Sequence, residues 1–111
     1  MGSKEHKSEH LKKRQKMFRT RLTEEYTLQI PFIGAGMAFV TTPALVAAVS
    51  NAGGMGTLGA SLIPHDQLRE LLRQIRSMTT GPFGVNFIPH LTEKVQLEVC
   101  IEEHVSVVSF F

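Results

Sequence analysis

The chain has 111 residues, of which 42% are hydrophobic and 20% charged, a balance typical of one small globular domain with a modest core. No apolar run approaches the ~18 residues that a membrane-spanning helix needs, and the first residues carry no apolar signal segment, so we expect no membrane partner. The single cysteine, Cys100, excludes an internal disulfide, which predicts a reducing, cytoplasmic compartment.

Basic residues are concentrated at the N-terminus. Residues 1–21 hold eight basic and two acidic side chains, a net of +6, whereas residues 22–111 hold four basic and eight acidic ones, a net of −4. The stretch LKKRQK is typical of a patch for nucleic acid or an anionic surface, but no aromatic side chains interleave with its charges to stack on bases. We therefore interpret residues 1–21 as a solvated, disordered tail, and we do not expect nucleic acid as a partner.

The first regular segments follow this tail. A short apolar run that ends at a glycine predicts a strand near residues 30–34, with Pro31 tolerated because it stands at the strand's start. Thr41 or Thr42 offers an N-cap hydroxyl next to a proline, and the small, helix-forming residues that follow predict a helix near residues 43–52.

The stretch AAVSNAGGMG, residues 47–56, joins this helix to the next strand. Asn51, Gly53 and Gly54 adopt left-handed backbone angles at low cost, so we expect them to end the helix and reverse the chain. The residues that follow, MGTLGAS, predict a second strand near residues 56–60. These glycines are therefore interpreted as parts of a structural turn.

The remaining segments repeat the order of helix and strand. Leucines and an isoleucine spaced i, i+3, i+4 and i+7 give the next helix one apolar face, and a run of β-branched and aromatic residues, VSVVSFF, predicts the last strand. Thr92 is the expected cap of the last helix, with Leu91, Val95, Val99 and Cys100 facing inward. The predicted elements are a helix near residues 64–78, a strand near 83–88, a helix near 93–103 and a strand near 105–110.

Strands separated by helices of this length are parallel neighbours joined by right-handed crossovers. Strands that are apolar on both faces indicate a sheet covered on both sides. Two α/β architectures fit: an open doubly wound sheet, or a (β/α)8 barrel that stops near its middle. A dinucleotide-binding turn is not indicated, because GAGMAF has Phe39 where the third glycine of that motif stands, and the second strand ends without an acidic residue.

One long stretch resembles a known family. Residues 31–61, PFIGAGMAFVTTPALVAAVSNAGGMGTLGAS, followed by PFGVNFI at residues 82–88, are similar to the N-terminal part of nitronate monooxygenases, formerly called 2-nitropropane dioxygenases. Their close relatives are the flavin-dependent enoyl-acyl-carrier-protein reductases. The resemblance extends over about residues 20–111, and a contiguous match of this length is far more specific than a lone glycine motif.

The resemblance implies that residues 22–111 are the first half of a TIM (β/α)8 barrel that binds FMN at its C-terminal face, where the loops after the strands carry the chemistry. It implies that Gly36, Met37 and Ala38 contact the flavin ring at the end of the first strand. It also implies that Asn86, at the end of the third strand, hydrogen-bonds FMN. Ser109, at the end of the fourth strand, is expected near the same site.

The resemblance implies no catalytic residue among these positions. The family's catalytic histidine lies in a glycine-rich segment of the second half of the barrel, and none of the five histidines here matches that segment; His90, just after the third strand, comes nearest. No spacing of histidines, acids and the cysteine predicts a metal site. The phosphate-binding loops follow the seventh and eighth strands of a barrel of ~250 residues, so we expect this chain to be an incomplete N-terminal portion.

The function implied is that of an FMN-dependent oxidoreductase. In the nitronate monooxygenase version, a small-molecule nitronate is oxidatively denitrated with O2. The alternative within the same resemblance is the reduction of an enoyl thioester on acyl-carrier protein, and no residue here separates the two. A non-catalytic alternative is a truncated product that associates with itself through the apolar sheet edge at VSVVSFF, since unpaired edges tend to pair.

Overall fold

The computed structural model describes residues 18–110, in which helices and strands alternate after a short first helix. From α2 onwards, each α-helix and strand lies within two residues of its predicted bounds, so the predicted alternation is confirmed there; a 3-10 helix after β2 was not predicted. The elements are α1 (Arg21–Tyr26), α2 (Pro43–Asn51), β1 (Gly56–Gly59), α3 (His65–Met78), β2 (Phe83–Phe87), a 3-10 helix (Pro89–Leu91), α4 (Lys94–Glu102) and β3 (Val107–Phe110).

The three strands form one parallel sheet in the order β1-β2-β3. Gly56 pairs with Phe83 at the start of the first ladder, and Gly84 pairs with Val107 at the start of the second. A parallel pair needs a crossover connection, which α3 supplies between β1 and β2 and α4 supplies between β2 and β3. The predicted α/β class with parallel neighbours is confirmed.

The strand predicted near residues 30–34 is reduced to one isolated parallel bridge between Ile33 and Met55. Pro31 has no N–H to give to a ladder, and the Phe32 N–H instead donates to the Ile30 carbonyl at 2.8 Å. On either side of Ile33, the Met55 backbone bonds the Phe32 carbonyl and the Gly34 N–H, both at 2.9 Å. The segment therefore lies beside β1 in the predicted direction but makes only one step of pairing.

Helix α1 lies at the boundary between the predicted tail and the predicted domain. Its N-cap is Thr20, whose hydroxyl accepts from the Thr23 N–H at 3.1 Å while the Thr23 hydroxyl accepts from the Thr20 N–H at 2.9 Å. Leu28, just after the helix, is 1% exposed. Thr20 and Arg21, the last residues of the predicted tail, thus belong to α1 and its cap, and the prediction for residues 1–17 lies outside the described residues.

The outer face of the sheet packs against α2, α3 and α4. The predicted apolar face of α3 is confirmed at Leu68, Leu72 and Ile75, which are at most 1% exposed. They form one cluster with residues of the sheet and the other helices, namely Val46, Leu58, Ala60, Phe83, Val85, Phe87, Val99 and Cys100. Burial of this apolar surface is the main term that holds the helices on the sheet.

Two predicted helix caps have different outcomes. Thr42 is the N-cap of α2, and its hydroxyl accepts from the Leu45 N–H at 3.2 Å. The prediction of Thr92 as the cap of α4 is wrong, because Thr92 caps the end of the 3-10 helix, where its hydroxyl donates to the Ile88 carbonyl at 2.7 Å. Glu93 is the N-cap instead.

The α4 face is also rotated from the prediction. Gln96 is 4% exposed, since its side chain accepts from the Glu93 N–H at 2.8 Å and donates to the Ile63 carbonyl at 2.7 Å. Val95 and Leu91 are only half-buried, whereas Val99 and Cys100 are buried as predicted. The amide of Gln96 thus takes an inward position that the apolar pattern gave to Val95.

The turn between α2 and β1 depends on one left-handed glycine. Gly53 has φ of +104°, as predicted, but Asn51 lies inside α2 and Gly54 does not have a positive φ. Gly54 is needed for its lack of a side chain, because a Cβ there would come within 2.8 Å of the Phe32 carbonyl oxygen. Gly56 similarly allows β1 to lie directly against α2, where a Cβ would overlap the Val46 carbonyl.

Ser50, the last serine of α2, connects three segments through one hydroxyl. It is 7% exposed, donates to the Pro82 carbonyl at 2.8 Å and accepts from the Gly56 N–H at 3.1 Å. Those two groups stand at the first rung of the β1–β2 ladder, where Gly56 pairs with Phe83. The hydroxyl therefore helps to fix the register of the two strands.

We predict that Ser50→Ala destabilises the protein by about 1–3 kcal/mol, the usual cost of leaving buried hydrogen-bonding groups unpaired. The measurement is the free energy of unfolding by urea denaturation. Ser77→Ala is the matched control, because Ser77 is exposed and donates only to the Gln74 carbonyl of its own helix. Equal losses in the two variants would contradict the role given to Ser50.

Candidate functional site

The inner face of the sheet, opposite the helices, forms a groove of about 340 Å³. The segment around residues 33–36 lies along one side of it, and β1, β2 and β3 form its floor. Small and polar residues predominate in its lining, among them Gly34, Gly36, Thr57, Gly84, Asn86 and Ser109. Such a concave surface, with few polar groups, is typical of a ligand site.

The alternation of side chains along each strand determines which residues face the groove. Leu58, Val85 and Val108 point outward and pack in the cluster beneath the helices. The positions between them point inward and lie in two rows, each with one residue per strand. The N-terminal row is Thr57, Gly84 and Val107, and the C-terminal row is Gly59, Asn86 and Ser109.

Asn86 lies in the middle of the C-terminal row and is 8% exposed. Its Oδ1 accepts a hydrogen bond from the Ser109 Oγ at 2.8 Å. Among the described residues its Nδ2 has no hydrogen-bond acceptor, although no fully buried side-chain nitrogen or oxygen in this part of the chain lacks a partner. The amide therefore offers its N–H groups to the groove while Ser109 holds its orientation.

Gly36 brings the chain after the first predicted strand directly onto Asn86. A Cβ at Gly36 would come within 2.8 Å of the Asn86 Cβ and 3.0 Å of the Thr57 Cγ2. A side chain at this position would displace both neighbours or fill the groove. Of the predicted site residues, the structure thus brings Gly36, Asn86 and Ser109 together.

Met37 and Ala38 lie next to this site without lining the same groove. Met37, 47% exposed, lines a neighbouring cavity of about 190 Å³ between the 34–37 segment and α2. Ala38 passes over β1, where its backbone nitrogen would be 2.6 Å from a Cβ at Gly59. The Thr41 hydroxyl holds this turn by accepting from the Met37 N–H at 2.7 Å and donating to the Met37 carbonyl at 3.0 Å.

Sequence reasoning gave no role to the inward-facing residues Thr57 and Gly84. The alternation of side chains along the strands MGTLG and FGVNF could have located them. Thr57 is two residues after Met55 and Gly84 is two residues before Asn86, so each shares a face of the sheet with that neighbour. Neither residue, however, belongs to a sequence motif that indicates a function. Their importance comes from the neighbouring strand, which the register places beside them.

No ionisable side chain among the described residues lines the groove. His90 is exposed in the 3-10 helix, and His65 lines a separate cavity with Glu93. Cys100 is buried behind the sheet, and this burial raises the pKa of its thiol to about 11, so it is not an activated nucleophile. In the 18–110 range, no three histidine, cysteine or acidic side chains are grouped as metal ligands would be.

None of the described helices is both long enough and apolar enough to span a membrane. The groove on the inner face of the sheet combines open volume with the side chains of Thr57, Asn86 and Ser109. Its polar groups are hydrogen-bond donors and acceptors without charge. The groove can bind and orient a ligand, whereas a proton-transfer group does not come from these residues.

A family model and a sequence relative indicate the same family for this chain. Residues 19–109 match the family model described as nitronate monooxygenase. A probable nitronate monooxygenase of Staphylococcus aureus (strain JH9) is 47% identical over 72 residues, which are 64% of this chain and 20% of that protein.

Solved structures superimpose on most of the chain. FabK from Thermotoga maritima gives a TM-score of 0.76 at 43% identity, over 83% of this chain and 30% of that one. Nitroalkane oxidase from Streptomyces ansochromogenes gives a TM-score of 0.70 at 29% identity, over 82% of this chain and 35% of that one. The fold is thus that of the N-terminal part of a TIM barrel, as predicted, and the chain spans about a fifth to a third of the length of these relatives.

We predict that Gly36→Ala perturbs the groove, because its Cβ has no room beside Asn86 and Thr57. The expected result is a loss of about 1–3 kcal/mol in the free energy of unfolding, the usual cost of overpacking, together with a shifted Asn86 side-chain amide resonance in NMR spectra. Gly34→Ala is the matched control, since its nearest atoms are the Val49 methyls at 3.6 Å. If Gly36→Ala behaves as the control does, the close packing of Gly36 on Asn86 is wrong.

Proposed function

This chain belongs to the nitronate monooxygenase family, and we propose that it forms the N-terminal wall of the FMN site of an oxidoreductase of that family. The observation that carries the proposal is the Asn86 amide, which is nearly buried, is oriented by Ser109 and keeps its Nδ2 free toward the groove. A flat heteroaromatic ring needs an apolar, narrow site with a few hydrogen-bonding groups at its edge. The groove has these properties.

The backbone around Gly36 supports the same proposal. A Cβ at Gly36 would press on Asn86 and Thr57, and one at Gly84 would come within 3.2 Å of the Val107 carbonyl oxygen, so both glycines keep the floor of the groove free of side chains. The backbone of Met37 and Ala38 lies over the last residue of β1, Gly59, and therefore at the C-terminal side of the sheet. This is the side on which TIM-barrel enzymes bind their ligands.

The chemistry divides between the cofactor and the protein. FMN, when bound, supplies the electron transfer. We propose that the Asn86 Nδ2 donates a hydrogen bond to the polar edge of the flavin, that Ser109 keeps the amide in that orientation, and that the apolar lining excludes water. The proton-transfer group and the phosphate contacts would come from outside these residues.

For the reaction, we propose the oxidative denitration of an alkyl nitronate with O2. The family model and the relative from Staphylococcus aureus support it by their descriptions. The specific observation in favour of the alternative, reduction of an enoyl thioester, is the higher identity to FabK, 43%, than to nitroalkane oxidase, 29%. The inward residues of the described strands are compatible with either reaction.

The two reactions give different products, which we expect to separate them. The protein, expressed from its complete reading frame and loaded with FMN, is supplied either with propane-2-nitronate and O2 or with a nicotinamide and a crotonyl thioester. We predict nitrite release in the first assay and no thioester-dependent nicotinamide oxidation in the second. The reverse result would establish the reductase and overturn the nitronate proposal.

We predict that Asn86→Ala weakens FMN binding by about 1–3 kcal/mol, the usual cost of removing a partner from a buried hydrogen-bonding group. Asn86→Asp has a similar size but replaces a donor with a charge, so it is expected to lower the flavin's reduction potential as well. Flavin fluorescence titration measures the first effect, and dye-coupled reduction measures the second. Gln67→Ala, which removes an exposed amide on α3, is the control and should leave both unchanged.

The same titration tests how much of the site this chain contributes. Since the chain spans 20% of the relative's length, we expect the 111 residues alone to bind FMN far more weakly than the complete barrel. Micromolar binding by the isolated chain, abolished by Asn86→Ala, would contradict that expectation. Unchanged binding by Asn86→Ala in the complete protein would overturn the role of Asn86.

A further inference from the structure

Four residues other than glycine have a positive φ in the described part of the chain, and they fall into two pairs. Thr27 and His104 stand at the C-terminal ends of α1 and α4, where a left-handed residue commonly ends a helix. Phe39, with φ of +64°, and Leu62, with φ of +67°, lie in loops that follow no helix. Helix ends therefore explain the first pair and leave the second pair without a local reason.

Phe39 and Leu62 occupy the same position in two similar turns. Residues 37–40 and residues 60–63 each form a four-residue turn, closed by a hydrogen bond from the last N–H to the first carbonyl at 3.1 and 3.2 Å. Phe39 and Leu62 are the third residues of these turns. A positive φ at the third position favours glycine or asparagine, and a bulky side chain there costs free energy that glycine avoids.

Side-chain hydrogen bonds hold both turns in this conformation. At the first turn, the Thr41 hydroxyl accepts from the Met37 N–H and donates to the Met37 carbonyl. At the second turn, the nearly buried amide of Gln96 donates to the Ile63 carbonyl at 2.7 Å. Strained residues persist only where the surrounding structure holds them, and they are concentrated at active sites and ligand contacts.

Both turns lie at the C-terminal side of the sheet, where TIM-barrel enzymes bind their ligands. Residues 60–63 begin directly after β1. The turn of residues 37–40 reaches the same strand end, because the backbone of Met37 and Ala38 lies over Gly59. Phe39 also directly follows residues 36–38, the expected flavin contacts, so its side chain leaves the chain next to the proposed FMN site.

We propose that Phe39 and Leu62 are specificity-determining residues that contact the hydrocarbon part of the substrate. The inference rests on the proposed function and names what these residues would bind, which is the alkyl group of the nitronate. Because the two turns are held in place before the substrate arrives, little ordering is needed when it binds. Apolar contact stabilises a long hydrocarbon more than a short one, so the pair favours the longer substrate.

The test compares two chain lengths of substrate in Phe39→Gly, Leu62→Gly and the unchanged protein, each expressed from the complete reading frame and loaded with FMN. The quantity measured is kcat/KM for octane-2-nitronate divided by kcat/KM for propane-2-nitronate. We expect each glycine substitution to lower this ratio about 10-fold, which corresponds to lost burial of roughly two methylene groups. Phe39→Leu keeps an apolar side chain and should restore most of the ratio.

A second measurement separates substrate contact from packing against the rest of the barrel. Glycine relieves the positive φ, so Phe39→Gly should leave the urea midpoint of the substrate-free protein unchanged or raise it. His104→Gly is the matched control, because it relieves the same strain where the chain approaches the start of β3, and it should keep the substrate ratio. A lower midpoint in Phe39→Gly would make Phe39 a packing residue and overturn the inference.

The outcomes also separate this inference from the proposed function. If the protein releases nitrite and both glycine variants keep the ratio, the inference fails while the proposed function stands. If the protein instead reduces enoyl thioesters, the proposed reaction fails, and the same ratio measured with octenoyl and crotonyl thioesters supports or overturns the inference. If the folded, FMN-loaded protein acts on neither class of substrate, both fail together.

Discussion

The hydroxyl of Ser50 joins the end of α2 to the first rung of the sheet, and the geometry of the groove depends on that junction. One oxygen bonds the N–H that begins β1 and the carbonyl that precedes β2. A shift of one residue between parallel strands would turn every side chain to the opposite face. With the first rung held, Thr57 and Asn86 face inward, whereas Leu58 and Val85 face the helices.

The opposite faces of this sheet meet opposite physical requirements. The outer face is covered by helices and buries bulky apolar side chains, which provides most of the stabilisation. The inner face carries glycines, a threonine, an asparagine and a serine, which contribute little apolar burial. In a TIM barrel this face turns toward the inner faces of the other strands, so the open volume lies on the side where they would face it. The close approach of α2 at Gly56 and of the 34–38 segment at Gly36 allows the sheet to hold both faces without side chains filling the groove.

The relation to the larger relatives follows from this division. The chain superimposes on the N-terminal part of TIM-barrel enzymes and spans about a third of their length. In a barrel the inner faces of all strands surround one interior, and the ends of several strands contribute to one site. The described residues supply neutral donors and a shaped floor, which suits binding and orientation. In the proposed FMN site, acid–base groups and phosphate contacts would come from other strands.

The sequence by itself determined the order of elements, the parallel class and the family, because apolar periodicity, glycines and a long contiguous motif are local signals. It also identified Gly36, Asn86 and Ser109, which lie together in the groove, through a resemblance to known proteins. The tertiary structure decided what depends on distant partners. Residues 30–34 pair for a single step because the Phe32 N–H bonds within its own segment, and Gln96 is buried because its amide reaches the Ile63 carbonyl. Thr57 faces the groove because the register with β2 puts Gly84 beside it, and no local pattern carries that information.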